Sequence, residues 1–236
     1  MKKLNYTLLF FICLLLACST EPTEQAVKQM NEIRNRLKKA AALLPPQGQE
    51  KVVTPAKGSL PELFKFNKFS KKEELKVLNI NRRHLTAILN GKVFTKDLEE
   101  KGVTDFSGYE WEMIDPDPFK NTSETKYSHE KNVKDLYDNQ YLRITEIKSY
   151  TPGEVDGKTI KKPAEYKVWF WLIDLKNDKL LGSQSVEGIS GNYVFTMGKK
   201  GEKTDGVKAV AGSAQGTINN KIKKIFSEWA GKPLKE

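Results

Sequence analysis

The sequence predicts an α+β fold: an antiparallel β-sheet packed by a long C-terminal amphipathic helix, preceded by a mainly helical N-terminal region. Three observations carry this. Glu165 to Leu175 is the strongest strand signal in the chain, with Tyr166, Val168, Phe170 and Leu172 on one face and Trp169, Trp171 and Ile173 on the other. A strand apolar on both faces is central and covered on both sides. Val207, Ala211, Ala214, Ile218, Ile222, Ile225 and Trp229 then recur at helical spacing, with Lys208, Lys221 and Lys224 outward and Gly231 and Pro233 as the stop. Near the start, Ala26, Met30, Ile33, Leu37, Ala40 and Leu44 make a second helical stripe, ended by Pro45-Pro46.

The remaining elements follow in chain order. The stripe near the start defines a helix over 25–44, packed on the body or, in the sharper reading, lying on a membrane. From Gln47 to Ser70 the chain reads as loop, with Leu63, Phe64 and Phe66 as plugs into a core. Ser70-Lys71-Lys72-Glu73 has the form of a capping box and predicts a helix over 71–78. A helix from Arg82 to Leu89 ends at Asn90-Gly91, and Thr95 to Glu100 makes a short third one. Tyr109 to Ile114 alternates as a strand, and a long polar loop runs from Asp115 to Glu130. Tyr141 to Ile147 is a strand, and Pro152-Gly153 with Asp156-Gly157 marks its connection to the central strand. Leu180 to Val186 pairs back as a hairpin, and Asn192 to Met197 is a further strand. Gly212 and Gly216 weaken the first half of the last helix and move its expected start towards Thr217.

Composition narrows the chemistry. The formal net charge is +10, and of 40 basic residues only five are arginine. Nucleic-acid readers lean on the planar fork of arginine, so a lysine-rich surface points away from nucleic acid and towards a solvated face, an acidic partner or anionic lipid. The only two cysteines are Cys13 and Cys18, and the only histidines are His84 and His129. That inventory offers no intramolecular disulfide after Cys18 and no thiolate metal site, so no metal and no cofactor is expected. Both histidines read as surface residues.

The first 18 residues are the most specific motif. Lys2 and Lys3 precede an apolar run from Leu8 to Leu16, and Leu15-Leu16-Ala17-Cys18 follows. This resembles the lipobox of bacterial lipoprotein precursors, with leucine at −3, a small residue at −1 and cysteine at +1; Leu16 at −2 departs from the small or β-branched residue usual there. The resemblance implies that residues 1–17 are a signal peptide, removed in the mature protein, and that Cys18 is lipidated. Residues 18–24 then form the lipid-anchored tether, 25–133 an N-terminal helical and loop region, and 134–236 a C-terminal α+β module that can share one domain with it. Ser19, where enterobacterial lipoproteins kept in the inner membrane carry aspartate, points to the outer membrane. Cleavage after Ala17 without lipidation is the rival reading. An uncleaved anchor would need about 20 apolar residues, more than this run supplies.

Other motifs resolve to turns. Gly153-x-x-x-Gly157-Lys158-Thr159 has three residues between its glycines where a phosphate loop needs four, and Pro163 stands where the helix should run. Asp115-x-Asp117 lacks the third ligand and the glycine of a calcium loop. The expected function is therefore a lipid-anchored cell-envelope protein, a non-enzymatic binding or accessory module with an envelope protein as partner and the membrane held through Cys18. Trp169 and Trp171, side by side on one face, are the candidate contact residues. The alternative is a carboxylate-dependent envelope glycan or peptide hydrolase, in which Glu110, Glu112, Asp115 or His129 would converge.

Overall fold

The computed structural model describes residues 23–67, 72–91, 126–156, 159–191 and 206–232. Helix α1 spans Glu24–Ala42; Thr23 caps it, its hydroxyl accepting the Ala26 N–H at 3.3 Å. Ala26, Met30, Ile33, Leu37 and Ala40 are buried, so the stripe is used by the protein's own body. A hairpin of β1 (Phe64–Asn67) and β2 (Lys72–Leu75) follows, then β3 (Leu78–Asn81) running straight into α2 (Arg82–Leu89). Next come α3 (Lys126–Asp138), β4 (Tyr141–Thr151), the small hairpin β5 (Glu154–Asp156) and β6 (Thr159–Lys162), and then β7 (Glu165–Asp174) and β8 (Lys179–Ile189). Helix α4 (Gly206–Ala230) closes the described chain.

The main sheet has the order β3-β4-β7-β8. The α+β class holds, with one refinement: β3 lies parallel to β4, so the sheet is mixed, while β4, β7 and β8 are antiparallel. Strand β7 is central and divides two cores. Tyr166, Val168, Phe170 and Leu172 face α4, where Ala211, Ala214, Ile218, Ile222, Phe226 and Trp229 meet them. Trp169, Trp171 and Ile173 face the opposite layer of α1, α2 and α3. Phe170, Trp171, Leu172 and Ile173 are each fully buried. Each such side chain contributes roughly 1.5–3 kcal/mol of transfer free energy, which fixes the strand between its two layers.

Three expectations are corrected. The capping box at Ser70 opens no helix: β2 and β3 occupy that stretch, β2 paired with β1 in the register Phe64↔Leu75. Val77 and Ile80 are buried in different cores, and Leu75 and Leu78 are half-buried beside them. The apolar spacing from 75 to 80 therefore serves two sheet faces, and tertiary pairing overrides the local cap. Helix α3 begins inside the stretch expected to be loop. Its Val133, Leu136 and Tyr137 stand at i, i+3 and i+4, a short stripe that borrows α1 as partner. Arg36 of α1 locks that contact, donating to the Tyr137 carbonyl at 2.7 Å and to Glu32 at 2.9 Å, with its guanidinium 4.5 Å from the Tyr137 ring centroid. Third, α4 is helical from Gly206, ahead of Thr217. A Cβ on Gly212 or Gly216 would meet nothing within 4 Å, so both glycines lie on the solvent side while Val210, Ala211 and Ala214 hold the first turns to the sheet.

The helix sits unusually close to β8. A Cβ on Gly188 would fall 2.4 Å from Ile218 and 2.8 Å from the Ala214 carbonyl, and one on Gly182 2.6 Å from the Trp229 ring. Glycine at these two positions is what lets the helix axis approach the strand. Residues 45–60 form a strap from one helical layer to the other. The strap leaves α1, passes Lys148 of β4 at Glu50, pairs Val53 with Ser183 of β8 through two 2.8 Å backbone bonds, and reaches α4 where Gly58 and Leu60 bond the Glu228 and Trp229 carbonyls. Farther along β8, Lys221 donates to the Glu187 carbonyl at 2.8 Å and Thr217 to that of Ile189 at 3.2 Å.

The expected helix at 95–100 and the expected strands at 109–114 and 192–197 lie outside the described residues, as do residues 1–22 with Cys18.

Candidate functional site

The two candidate tryptophans are brought together as their shared face requires, with ring centroids 6.4 Å apart. Their setting is the helical layer: Trp171 is fully buried and Trp169 half-buried. Glu146, Trp169 and Ser185 stand in one row across β4, β7 and β8. The strap runs from Glu50, bonded to the Lys148 side chain of β4, to Val53, paired with Ser183 on the outer side of β8. Both indole N–H groups are buried without an acceptor among the described residues.

Beside the tryptophans lies a cluster of charged groups. On the face of β4 that carries Leu142 and Ile144, the same alternation brings Glu146 and Lys148. The Glu146 carboxylate accepts from Gln47 at 2.8 Å, Arg82 at 2.9 Å and Lys148 at 2.9 Å. Arg82, the first residue of α2, also donates to the Pro45 carbonyl at 2.9 Å and lies 5.4 Å from the Trp171 ring centroid. Lys148 bridges to Glu50, which also accepts the Gly48 N–H at 3.0 Å. Residues Gln47, Arg82, Arg83, Thr86, Glu146 and Ile147 line a 480 Å³ cavity at this place.

The electrostatics are those of a latch. Burial works to raise the Glu146 pKa, but its bonds from Gln47, Lys148 and Arg82 outweigh it and hold the group below the ordinary carboxylate value. The Lys148 bond and the Gly48 N–H pull Glu50 down to about 2. Burial opposes the charge on Lys148, and the two carboxylates overcome that and raise its pKa. Asp174 follows the same rule: burial would raise it, but bonds from Asn177, Gln140 and the Lys176 and Asn177 N–H groups hold it low. A general acid needs a carboxyl kept protonated near neutral pH, and these three are held ionised.

The candidate residues for a hydrolase fall almost wholly outside the described residues. Glu110, Glu112 and Asp115 are among those outside, and His129 falls within α3. His84 corrects its expectation as a surface residue: it is 3% exposed, on the inner side of α2. Among the described residues no group of three or more His, Cys, Asp or Glu is placed to hold a metal ion, and no helix is long and apolar enough to cross a membrane. Sequence reasoning missed the cluster around Glu146. Its signal was present in β4, where Leu142 and Ile144 give way to Glu146 and Lys148 on one covered face, a pattern that demands partners from elsewhere in the chain.

A second surface runs between β8 and α4, a 630 Å³ groove whose walls include Lys167, Gln184, Glu187, Lys221, Lys224 and Glu228. It carries both signs of charge.

No family model and no curated protein matches the chain. Among solved structures, a hypothetical protein from Chlamydia trachomatis aligns at 7% identity and a TM-score of 0.26, over 43% of this chain and 61% of that one. A lipoprotein from Neisseria meningitidis aligns at 14% identity and a TM-score of 0.22, over 63% of this chain and 94% of that one. The chain thus spans about three fifths of the first, 61% of its length.

Proposed function

We propose that the protein is a lipid-anchored component of a bacterial cell envelope, held at the outer membrane through Cys18, whose α+β body is a non-enzymatic module that binds an envelope protein. The observation that carries this reading is Leu15-Leu16-Ala17-Cys18 behind Lys2, Lys3 and a short apolar run. Two acyl chains or more make such an anchor effectively permanent, at about 0.8 kcal/mol per buried methylene. Helix α1 begins at Glu24, six residues after Cys18, so the tether is at most about 20 Å long and keeps the body at the bilayer surface. A binding role is supported by the carboxylates of the Glu146 cluster, which are used up as acceptors that fasten the strap. In this reading half-buried Trp169 is the contact residue, and Trp171 backs it from the core.

The test is expression of the full chain in a diderm bacterium, followed by mass spectrometry of the N-terminal peptide and fractionation of the envelope. Wild type should carry a diacylglyceryl group on Cys18 and sediment with outer membrane; Cys18→Ala should lose the lipid. An unmodified Cys18 on a chain cut after Ala17 would show plain secretion instead. Crosslinking from the native envelope, with Cys18→Ala alongside, then reads the partner: one protein captured only from the anchored form is the expected result, and recovery of glycan favours the hydrolase.

A further inference from the structure

Arg143 stands on β4, on the face turned towards α4, and is 5% exposed. A guanidinium has five N–H donors and a permanent charge. Here Nη2 donates to Asn219 Oδ1 at 3.1 Å, while Nε is buried with no acceptor among the described residues. The other arginines drawn into the body are matched: Arg36 meets Glu32 and Arg82 meets Glu146. Arg143 has no carboxylate partner among the described residues, and burial alone acts on it, pushing its pKa down to about 10. A buried charge without a counter-charge is strongly disfavoured unless something supplies one.

The surroundings are built from amides. Asn79 lies directly across from Arg143 on β3, an outer strand among the described residues. Asn219 and Gln215 stand one turn apart on the same side of α4. All three are half-buried: Asn219 bonds the guanidinium, Asn79 shares the face of Arg143 by register, and Gln215 lies one turn from Asn219. Water could accept from Nε but would leave the charge unmatched. A carboxylate or phosphate oxygen does both, and the planar fork of arginine fits two such oxygens at once.

We propose that Arg143 is the receiving group of an anion-binding site between β3 and α4, sized for one carboxylate or phosphate group and rimmed by Asn79, Gln215 and Asn219. Its test does not depend on whether Cys18 carries lipid. The full chain, purified in a neutral detergent, is titrated with sodium phosphate or sodium acetate at constant ionic strength set by chloride. Two readouts are followed: the melting temperature and the Arg143 Nε–H resonance of protein labelled with ¹⁵N-arginine. The resonance should move saturably in wild type. The melting temperature should rise by about 3–6 °C at ten times the dissociation constant. Arg143→Met should abolish the rise, and Asn219→Asp, which sets a fixed carboxylate beside the guanidinium, should raise the melting temperature unaided and abolish the response. A response to acetate alone assigns a carboxylate, and to phosphate alone a phosphate. An equal rise in wild type and Arg143→Met, or an Nε–H resonance that stays still in wild type, overturns the proposal; the second readout decides even if Arg143→Met does not fold.

Discussion

Glu50 shows how a single side chain ties the strap to the sheet. Its pKa lies at about 2 in the folded chain against an ordinary 4.5, so ionisation is favoured by folding. Because the folded value is depressed, its contribution is complete above pH 4.5 and is lost as pH falls towards 2. The melting temperature should therefore drop across that interval, and Glu50→Gln should flatten the drop, as a pH series by calorimetry would show. Little of this is legible in the sequence. Glu50 and Lys148 are 98 residues apart in the chain and sit in segments whose local signals say only loop and strand. A salt link of that separation exists only once the strap is laid across the sheet. Trp169 and Trp171, by contrast, are placed on their common face by strand periodicity alone, because a side-chain period of two needs no tertiary information.

At the scale of elements, the packing of α4 on β8 involves glycines with opposite consequences. Gly188 of β8 is where the helix touches the strand, and alanine there would have to displace Ile218 and the Ala214 backbone. Gly188→Ala should cost about 1–3 kcal/mol in urea unfolding. Gly212 faces open space in a helix, and Gly212→Ala should stabilise by about 0.5–1 kcal/mol in the same assay. Helix propensity argues correctly that Gly212 weakens the helix, yet it is blind to the sheet, which offsets this cost through Val210, Ala211 and Ala214. The same blindness explains 71–78. A capping box is a local preference of about 1 kcal/mol, and burial of Val77 and Ile80 in two different cores outweighs it. Strong periodicity, as in α1, β7 and the second half of α4, is a sound guide because local and global preferences agree there.

On the scale of the whole molecule, the two cores share one sheet, and the strap joins the helical layers that cover it. Leu37 of α1 and Ile218 of α4 lie on opposite sides of β7, both buried. Leu37→Ala and Ile218→Ala should each cost about 2–5 kcal/mol and lower the same single calorimetric transition. Two separable transitions, each answering to one substitution, would instead show that residues 25–133 and 134–236 melt independently.

Among the described residues β8 is an outer strand of the sheet, eleven residues long and so long enough to recruit a stranger's backbone. Val53 occupies it at Ser183, and Lys221 and Thr217 stand on the carbonyls of Glu187 and Ile189. Copies of a chain fixed to one membrane meet in two dimensions, at far higher effective concentration than they would in free solution. Under such crowding an unguarded sheet margin would be a seed for fibrils. The strap and two side chains of α4 make that margin a poor template, so if the proposed Cys18 anchor crowds copies together, edge-to-edge pairing through β8 is obstructed at these points.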